Sequence, residues 1–547
     1  MLKFLFRQIY NNKRIIKYLI SGGTAAFVDI VLLYIFTDFF GLWYLLSAII
    51  SFLIAYFVSF YLQKFWTFRD NTLHNIRRQM IIYFIVGVTN LGINTAGMYL
   101  LVDKFKRHYL IAQIIMGALI SFSSYLIYRF FIFSKKDNSI NKKYNKNSME
   151  DDKENKRLKV LIATGIYPPD IGGPATIIKS LVKSLKENNI KIKIISYGDN
   201  INLENKKIKF YDKELYLVDR KKITRHIKYF LAMYKLAQWS QVIYVTDIYS
   251  VGYFAYLLHK IMGKKYIVRF AGDSAWETSA ANGWINDYII DFQNKKYNNK
   301  IEKLKTKRKK ILINADKIIA VSKFMSKIAL IIGVKKENIE VIYNSVDFND
   351  LVDIKEKEVE EIRKKYGLGA KIIITSCRLT PWKGVDEIIK ILPDLITKIG
   401  RLSFIIIGNG RELDKLKKLS EKLNIRDNVF FLGRLKHEET LKYIKAADLY
   451  ILNSNYEGLS HALLDAMYMK TPILSTKVGG NTELIQSGKE GILVEYNNKE
   501  ELLNSCFSIL NNYNLAQEFT NNAKRKLINF NWNNTVDRTV KLLFEYA

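Results

Sequence analysis

Four apolar stretches, at about 18–37, 42–63, 80–102 and 109–128, dominate the first 133 residues of the chain. Each approaches the roughly 20 residues that a helix needs to cross a bilayer. Segments this long and this apolar cannot all lie inside one water-soluble domain. The N-terminal part is therefore expected to be an all-α bundle of four transmembrane helices. The first stretch starts too far in, and has too many successors, to be a cleaved signal peptide. Gly, Thr and Ser among the apolar residues suit helices that pack closely in lipid.

An internal repeat runs through this part. At an offset of 65, Tyr18 matches Tyr83, Ile20 matches Ile85, Gly22 matches Gly87, Thr24 matches Thr89 and Tyr34 matches Tyr99. At the far ends "KFWTF" (64–68) answers "RFFIF" (129–133). Such in-register identity points to a duplicated two-helix hairpin with both copies in one orientation. Positive charge sets that orientation. The N-terminal arm carries Lys3, Arg7, Lys13, Arg14 and Lys17, and the central loop Lys64, Arg69, Arg77 and Arg78. Lys104, Lys106 and Arg107 in the second outer loop oppose them and are outnumbered, so both termini are expected in the cytoplasm. Asp29 lies within the first span, with Asn94 as its repeat mate. An ionisable group at that depth is costly, which makes the pair a candidate site in the membrane.

Through "YLISGGTAAFVDIVLLY", "SFYLQKFWTF" and "YRFFIF", residues of about 15–135 resemble the GtrA-like family of four-helix membrane proteins. That family is associated with cell-surface polysaccharide synthesis and with moving or presenting polyprenyl-linked sugars. The resemblance implies a membrane setting and leaves the mechanism open.

Residues 135–157 are polar, charged and without apolar periodicity, as in a disordered tether. Beyond them the pattern becomes strand–helix alternation. Short β-branched runs fall at 159–164, 191–199, 242–246, 265–273 and 317–322, and the pattern restarts at 371–378, 402–410, 428–433, 449–454, 471–476 and 491–495. This is the signature of parallel, helix-covered sheets. The expected domains are thus 1–134 (membrane bundle), 135–157 (linker), 158–355 and 356–547 (two Rossmann-like domains). Two such domains in tandem place a cleft between the carboxyl ends of their strands.

Composition narrows the function. Cys377 and Cys506 are too few and too isolated for a disulfide framework or a metal site. The net charge of +33 comes largely from Lys spread along the whole chain, with no nucleic-acid motif. Nucleic acid is therefore not an expected partner, whereas anionic membrane or phosphorylated substrates are. The densest cationic run, 293–310, sets nine cations against one acid and is a candidate for the anionic inner leaflet or an acceptor pyrophosphate. Neither a full G-x-G-x-x-G nor a G-x-x-x-x-G-K-[ST] occurs, which argues against a dinucleotide dehydrogenase and a P-loop ATPase.

The candidate site residues fall just after strands. Arg378 and Lys383 in "RLTPWKG" can hold a diphosphate. Gly408 and Leu435 lie in the turns "GNGREL" and "FLGRL". Glu457 and Gly458, with Leu459 and Ser460, are expected to open a helix whose amides face the cleft, and "GGNTELI" (479–485) adds another such turn. Asp465 follows Glu457 by eight residues, near two helical turns, so both acids would share one face. In the first domain Gly172 and Gly173 precede another helix. His437 and His461 are isolated and are expected to serve surface or packing roles.

Together these motifs, over about 158–540, resemble the family 4 retaining glycosyltransferases of the GT-B fold. The resemblance implies Glu457 at the donor sugar, Asp465 at the nucleotide ribose, and Arg378 and Lys383 neutralising the diphosphate. It further implies front-face, metal-free transfer from a nucleotide sugar with no other cofactor, and a last segment (530–547) that crosses back onto the first domain. Two departures stand out. The second acid is Asp465 where the family usually has Glu, and "AGDSAWE" (271–277) replaces a strand end that often carries His. Asp273, with a catalytic role, and Trp276 and Glu277, on the acceptor side, are carried as cleft residues.

The chain is thus read as a multi-domain membrane protein: a four-helix transmembrane bundle followed by a GT-B fold of two Rossmann-like domains. It is expected in the inner membrane, multi-pass, with the transferase in the cytoplasm, acting on a lipid-linked or glycan acceptor. Four helices are few to enclose a pathway, which leaves room for a homo-oligomer through the bundle. The alternatives are a transporter of polyprenyl-linked sugar with an attached transferase, which Asp29→Asn would disable without stopping transfer, and a non-catalytic nucleotide-sugar binding module.

Overall fold

The β-branched runs become strands because Val and Ile pack well on a pleated surface, and runs buried on both faces need helices to cover them. The computed structural model of the chain describes residues 13–42, 44–68, 76–106, 109–128, 157–168, 170, 173–199, 210–212, 214–347, 354–367 and 369–547. The expected linker, except Arg157, lies outside the described residues, as do Lys3, Arg7, Arg69, Arg107, "RFFIF" and Gly172. The chain divides into two compact units, 1–148 and 149–547.

The first unit holds α1 (Lys13–Tyr34), α2 (Tyr44–Tyr61), α3 (Ile76–Tyr99) and α4 (Tyr109–Ile127). Three helical spans among the described residues, Lys17–Phe39, Ile49–Thr67 and Gln79–Gly97, are long and apolar enough to cross a membrane, and Ile115–Tyr125 is a shorter apolar one. Apolar side chains such as Phe27, Ile30 and Ile81 point outward, while polar groups meet inside. The Ser21 and Thr67 hydroxyls lie 2.8 Å apart, and Asn90 donates to the Ser124 hydroxyl at 2.8 Å. The repeat mates Tyr18 and Tyr83 both pack on α4 or its end, against Tyr125 and Tyr128 respectively. Lys64, counted above with the loop cations, is instead fully buried where α2 ends and donates to Gln79 Oε1 at 2.7 Å. Asp29 and Asn94 are half-buried on α1 and α3.

The second unit contains two sheets. The first runs β3-β4-β2-β1-β5-β6-β7-β8, with β1 (Lys159–Ala163), β2 (Lys191–Gly198), β3 (Phe210–Asp212), β4 (Leu215–Asp219), β5 (Val242–Val245), β6 (Lys265–Phe270), β7 (Lys317–Ala320) and β8 (Ile339–Val341). All neighbours are parallel except β3 with β4. The second sheet, fully parallel, runs β11-β10-β9-β12-β13-β14, with β9 (Lys371–Ser376), β10 (Leu402–Ile407), β11 (Val429–Gly433), β12 (Leu449–Leu452), β13 (Ile473–Thr476) and β14 (Ile492–Val494). Chain order reverses between β1 and β5 in one sheet and between β9 and β12 in the other. Such switch points open a crevice at the carboxyl ends of the strands.

The helices used below are α5 (Gly173–Glu187), α6 (Arg225–Trp239), α7 (Ser250–Met262), α8 (Ser274–Ala281), α9 (Asn299–Ile313), α10 (Lys323–Ile332), α11 (Val385–Ile399), α12 (His437–Ala446), α13 (His461–Met469) and α14 (Trp532–Glu545). Although it follows the second sheet in sequence, α14 buries Trp532, Val536, Leu542 and Leu543 in the same core as Val160, Leu181 and Ile192 of the first. Trp532 Nε1 also donates to Ser184 Oγ on α5 at 3.1 Å. Deleting a buried indole removes apolar area and leaves a cavity. Trp532→Ala should therefore cost about 3–5 kcal/mol, read as a lowered midpoint in thermal or denaturant unfolding, and an unchanged midpoint would show that α14 contributes nothing to the first sheet's core.

Candidate active site

The site forms where the two switch points face each other. After β9 the chain leaves through Cys377 and Arg378, makes a single turn at Pro381–Lys383, and enters α11 through Gly384. Proline at the first position of that turn presets its φ, so Lys383 is delivered at a fixed place beside the strand end. After β12 the loop Ser454–Ser460 carries Glu457. Lys383 Nζ bonds Glu457 Oε1, and Ser454 Oγ donates to the same oxygen at 2.7 Å. Both charged side chains are 12% exposed. Arg378 reaches the other way and donates to Glu277 Oε2, in the first turn of α8, at 3.3 Å. Tyr249 O–H, after β5, donates to that same oxygen at 3.3 Å. Burial lifts the Glu277 carboxyl above its ordinary pKa, with Arg378 acting against the shift. The four charges feel one another, since Lys383 acts on Glu277 and Glu457 on Arg378.

Glu457 does not open a helix. The helix starts four residues later at His461, where Ser460 Oγ caps it by accepting from Leu463 N. The loop is held instead by contacts across the cleft. The Gly458 carbonyl accepts from Ser322 Oγ at 2.6 Å, and the Leu459 carbonyl from Asn344 Nδ2 at 3.1 Å. A Cβ on Gly458 would stand 2.2 Å from the Ala271 carbonyl oxygen, so only glycine fits. Gly479, at φ +52, packs under the same loop, where a Cβ would stand 2.1 Å from the Glu457 carbonyl oxygen of the backbone. The shared helical face expected for Glu457 and Asp465 is therefore absent.

Asp465 lies on α13, its side chain 8% exposed, and both oxygens meet His437 Nε2, at 3.0 and 3.1 Å. His437, the first residue of α12, is thus no isolated surface histidine. Burial opposes charge on its ring, but the Asp465 carboxylate outweighs this and leaves the pKa above its ordinary value. His461 is different: burial, then Arg269 and His437, pushes its pKa down to about 3, which keeps it neutral.

Three expected cleft residues have other surroundings. Asp273 is fully buried and caps α8 through the amides of Ala275 and Trp276, while Gln293 and Arg308 bind its other oxygen. With both oxygens engaged out of solvent, it positions α8, and hence Glu277, and does not line the cleft. Trp276, 1% exposed, packs edge-on to Trp382 and against Tyr456, so it joins the two sheets' domains as core. Gly408, at φ +139, brings the turn after β10 against the Cys377 carbonyl, and Leu435 is half-buried on the core. Gly173 begins α5, and the preceding loop is tied by Arg220 bonding both Asp170 and Asp199.

The sequence reading missed Asp247. It follows β5 at the first sheet's switch point, and burial pushes its pKa up to about 6. Gly165, just after β1, leaves it room, since a Cβ there would stand 2.7 Å from Oδ2. An acid right after the run 242–246 was the available signal. Among the described residues, no three His, Cys, Asp or Glu side chains gather to hold a metal ion.

Matches to known proteins agree with this architecture. Residues 17–133 match the family "GtrA/DPMS, transmembrane domain", 171–350 match "Glycosyltransferase Family 4", and 358–526 match "Glycosyl transferases group 1". An uncharacterized glycosyltransferase of Methanocaldococcus jannaschii is 28% identical over 71% of this chain and 99% of its own length. HepE of Anabaena, crystallised with UDP and glucose, superposes with a TM-score of 0.58 at 17% identity, covering 71% of this chain and all of that one. Sucrose-phosphate synthase of Thermosynechococcus elongatus gives 0.58 at 16% identity, covering 71% and 99%.

The His437–Asp465 pair carries a pH signature. Because the folded-state pKa lies above the ordinary value of about 6.5, its stabilisation is complete below that pH and fades as pH rises through the folded value. His437→Asn should thus cost roughly 1–2 kcal/mol of unfolding free energy near pH 6, read as a lowered unfolding midpoint, and progressively less toward pH 9. A midpoint difference that stays constant with pH would rule out a charged pair.

Proposed function

We propose that this chain, a glycosyltransferase of GT-B fold with an N-terminal GtrA-like membrane domain, transfers a sugar from a nucleotide-diphosphate donor to a lipid-linked acceptor of the polyprenyl-phosphate kind. The reaction runs at the cytoplasmic face of the inner membrane, with retention and without a metal, in making a cell-surface polysaccharide or glycolipid. One observation carries the reading: Arg378 and Lys383 stand at a switch point with each cation resting on a carboxylate. A diphosphate offers both cations a more highly charged partner than Glu277 and Glu457 do.

We assign the roles as follows. Lys383 and Arg378 take up the charge that grows on the β-phosphate as the bond from the anomeric carbon to the phosphate oxygen breaks. Glu457, released from Lys383 but still held by Ser454, accepts hydroxyls of the donor sugar. The acceptor hydroxyl oxygen bonds the anomeric carbon on the face the phosphate leaves, and its proton passes to the departing phosphate oxygen. Asp465, with His437, is assigned to the ribose. Glu277 orients Arg378, and Asp247 lies on the acceptor side. The GtrA-like domain supports a membrane acceptor, and the HepE complex with UDP and glucose supports a nucleotide-sugar donor.

The test uses membranes holding the full-length protein and a panel of radiolabelled nucleotide sugars, with label followed into the organic phase. Label should move from one donor, persist in EDTA, keep the donor's anomeric configuration by NMR, and fall by about two to three orders of magnitude in Arg378→Ala. Released nucleotide diphosphate without labelled lipid would overturn the acceptor, and inverted product the stereochemistry. Neither label nor release from any donor would overturn transfer itself.

A further inference from the structure

The segment 220–239, "RKKITRHIKYFLAMYKLAQW", contains no acid. Its helix α6 buries Tyr229, Ala232, Met233, Leu236 and Ala237 against the first sheet's core. On the other side, Ile227 is 65% and Leu231 43% exposed, and Ile223, just ahead of the helix, is 99% exposed. One exposed isoleucine needs no explanation, but Ile227 and Leu231, four apart on the helix, share one face, and exposed Ile223 in the turn ahead extends the apolar patch. Lys221, Arg225, Lys228 and Lys235 flank it, all exposed. We propose that this face of α6 docks on an anionic bilayer, with Ile223, Ile227 and Leu231 entering the headgroup region and the flanking cations meeting lipid phosphates.

Three observations favour lipid over another occupant. The first is composition: an apolar stripe between cations, with no acid in the segment, is the pattern of a helix lying in a membrane interface. The second is availability, because the same chain carries helices apolar enough to cross a membrane, which keeps a bilayer at high effective concentration. The third is position. The stripe begins three residues after Arg220, which ties the loop ahead of α5 through Asp170 at the carboxyl rim of the sheet. Docking there sets the cleft rim at the membrane surface.

The run 293–310, expected above as the membrane contact, is a weaker candidate because at least four of its nine cations are engaged by other groups of the protein and it carries no exposed apolar stripe of this kind. Arg308 pairs with Asp273, Lys295 with Asp287, Lys305 donates to three backbone carbonyls, and Lys300 lies over the Trp284 ring. Docking through α6 does not depend on which sugar or acceptor is used.

The test places an environment-sensitive fluorophore at Ile227→Cys in full-length protein in nanodiscs, on a Cys377→Ser background, with Lys418→Cys as an exposed reference. Nitroxide-bearing lipids should quench residue 227 severalfold more than 418. The difference should grow when phosphatidylglycerol is added to phosphatidylcholine and collapse when Lys221, Arg225, Lys228 and Lys235 are changed to Glu, with unchanged thermal unfolding confirming the fold. Equal quenching at the two sites would overturn the proposal. So would shielding of residue 227 that appears in detergent and rises with protein concentration, which would mean that a second copy covers this face.

Discussion

The backbone contact at Gly458 is what the rest of the α/β unit depends on. Its carbonyl accepts from Ser322 across the cleft, and its α-carbon lies so near the Ala271 carbonyl that no side chain fits. Glu457, one residue earlier, is therefore placed by a contact between the two domains as well as by its own. Gly479 and Gly480 come up beneath the same loop, and Glu483, just beyond, accepts from the amides of Lys323 and Phe324 at the start of α10. A carboxylate at a helix N-terminus meets unsatisfied amides and the positive end of the helix dipole. One short stretch of chain thus sets both the width of the cleft and the position of an acid within it.

Charge within the site is organised by pairing, which the net charge of the whole chain does not reveal. Arg378 with Glu277 and Lys383 with Glu457 make a four-charge set that is neutral overall in a protein of net charge +33. An uncompensated Lys383 or Glu457, each 12% exposed, would be costly, whereas a paired cation can exchange one anion for another. The fully buried pair of Asp273 with Arg308 does different work. It fixes α8 from behind, so Glu277 faces Arg378 from a rigid base.

Much of the fold could be read directly. Every strand expected from a β-branched run is present within a few residues, because runs buried on both faces must be almost continuously apolar. The strands that escaped notice, β3, β4 and β8, are three to five residues long, and two of them are sheet edges. Short edge strands carry little apolar signal, since much of their surface faces solvent. In the membrane unit, three of the four expected spans are long and apolar enough to cross a membrane among the described residues, and the fourth is a shorter apolar helix. The burial of Lys64 was not legible, because a lysine near a helix end reads as a loop cation until Gln79 is seen beside it.

By itself the sequence determined the succession of elements and the chemical types at strand ends: apolar length demands a membrane, alternation demands parallel sheets, and Arg378, Lys383 and Glu457 each follow a strand. Tertiary structure alone decided which of these groups meet. Asp465 and His437 are 28 residues apart in sequence and 3.0 Å apart in space, and Arg378 finds Glu277 across 101 residues. Asp273, which reads like a cleft acid, is turned inward by Arg308. The physical reason is one of range. Periodicity and turn chemistry act over a few residues and can be read along the chain, whereas an ion pair or a close backbone approach depends on how two sheets settle against each other.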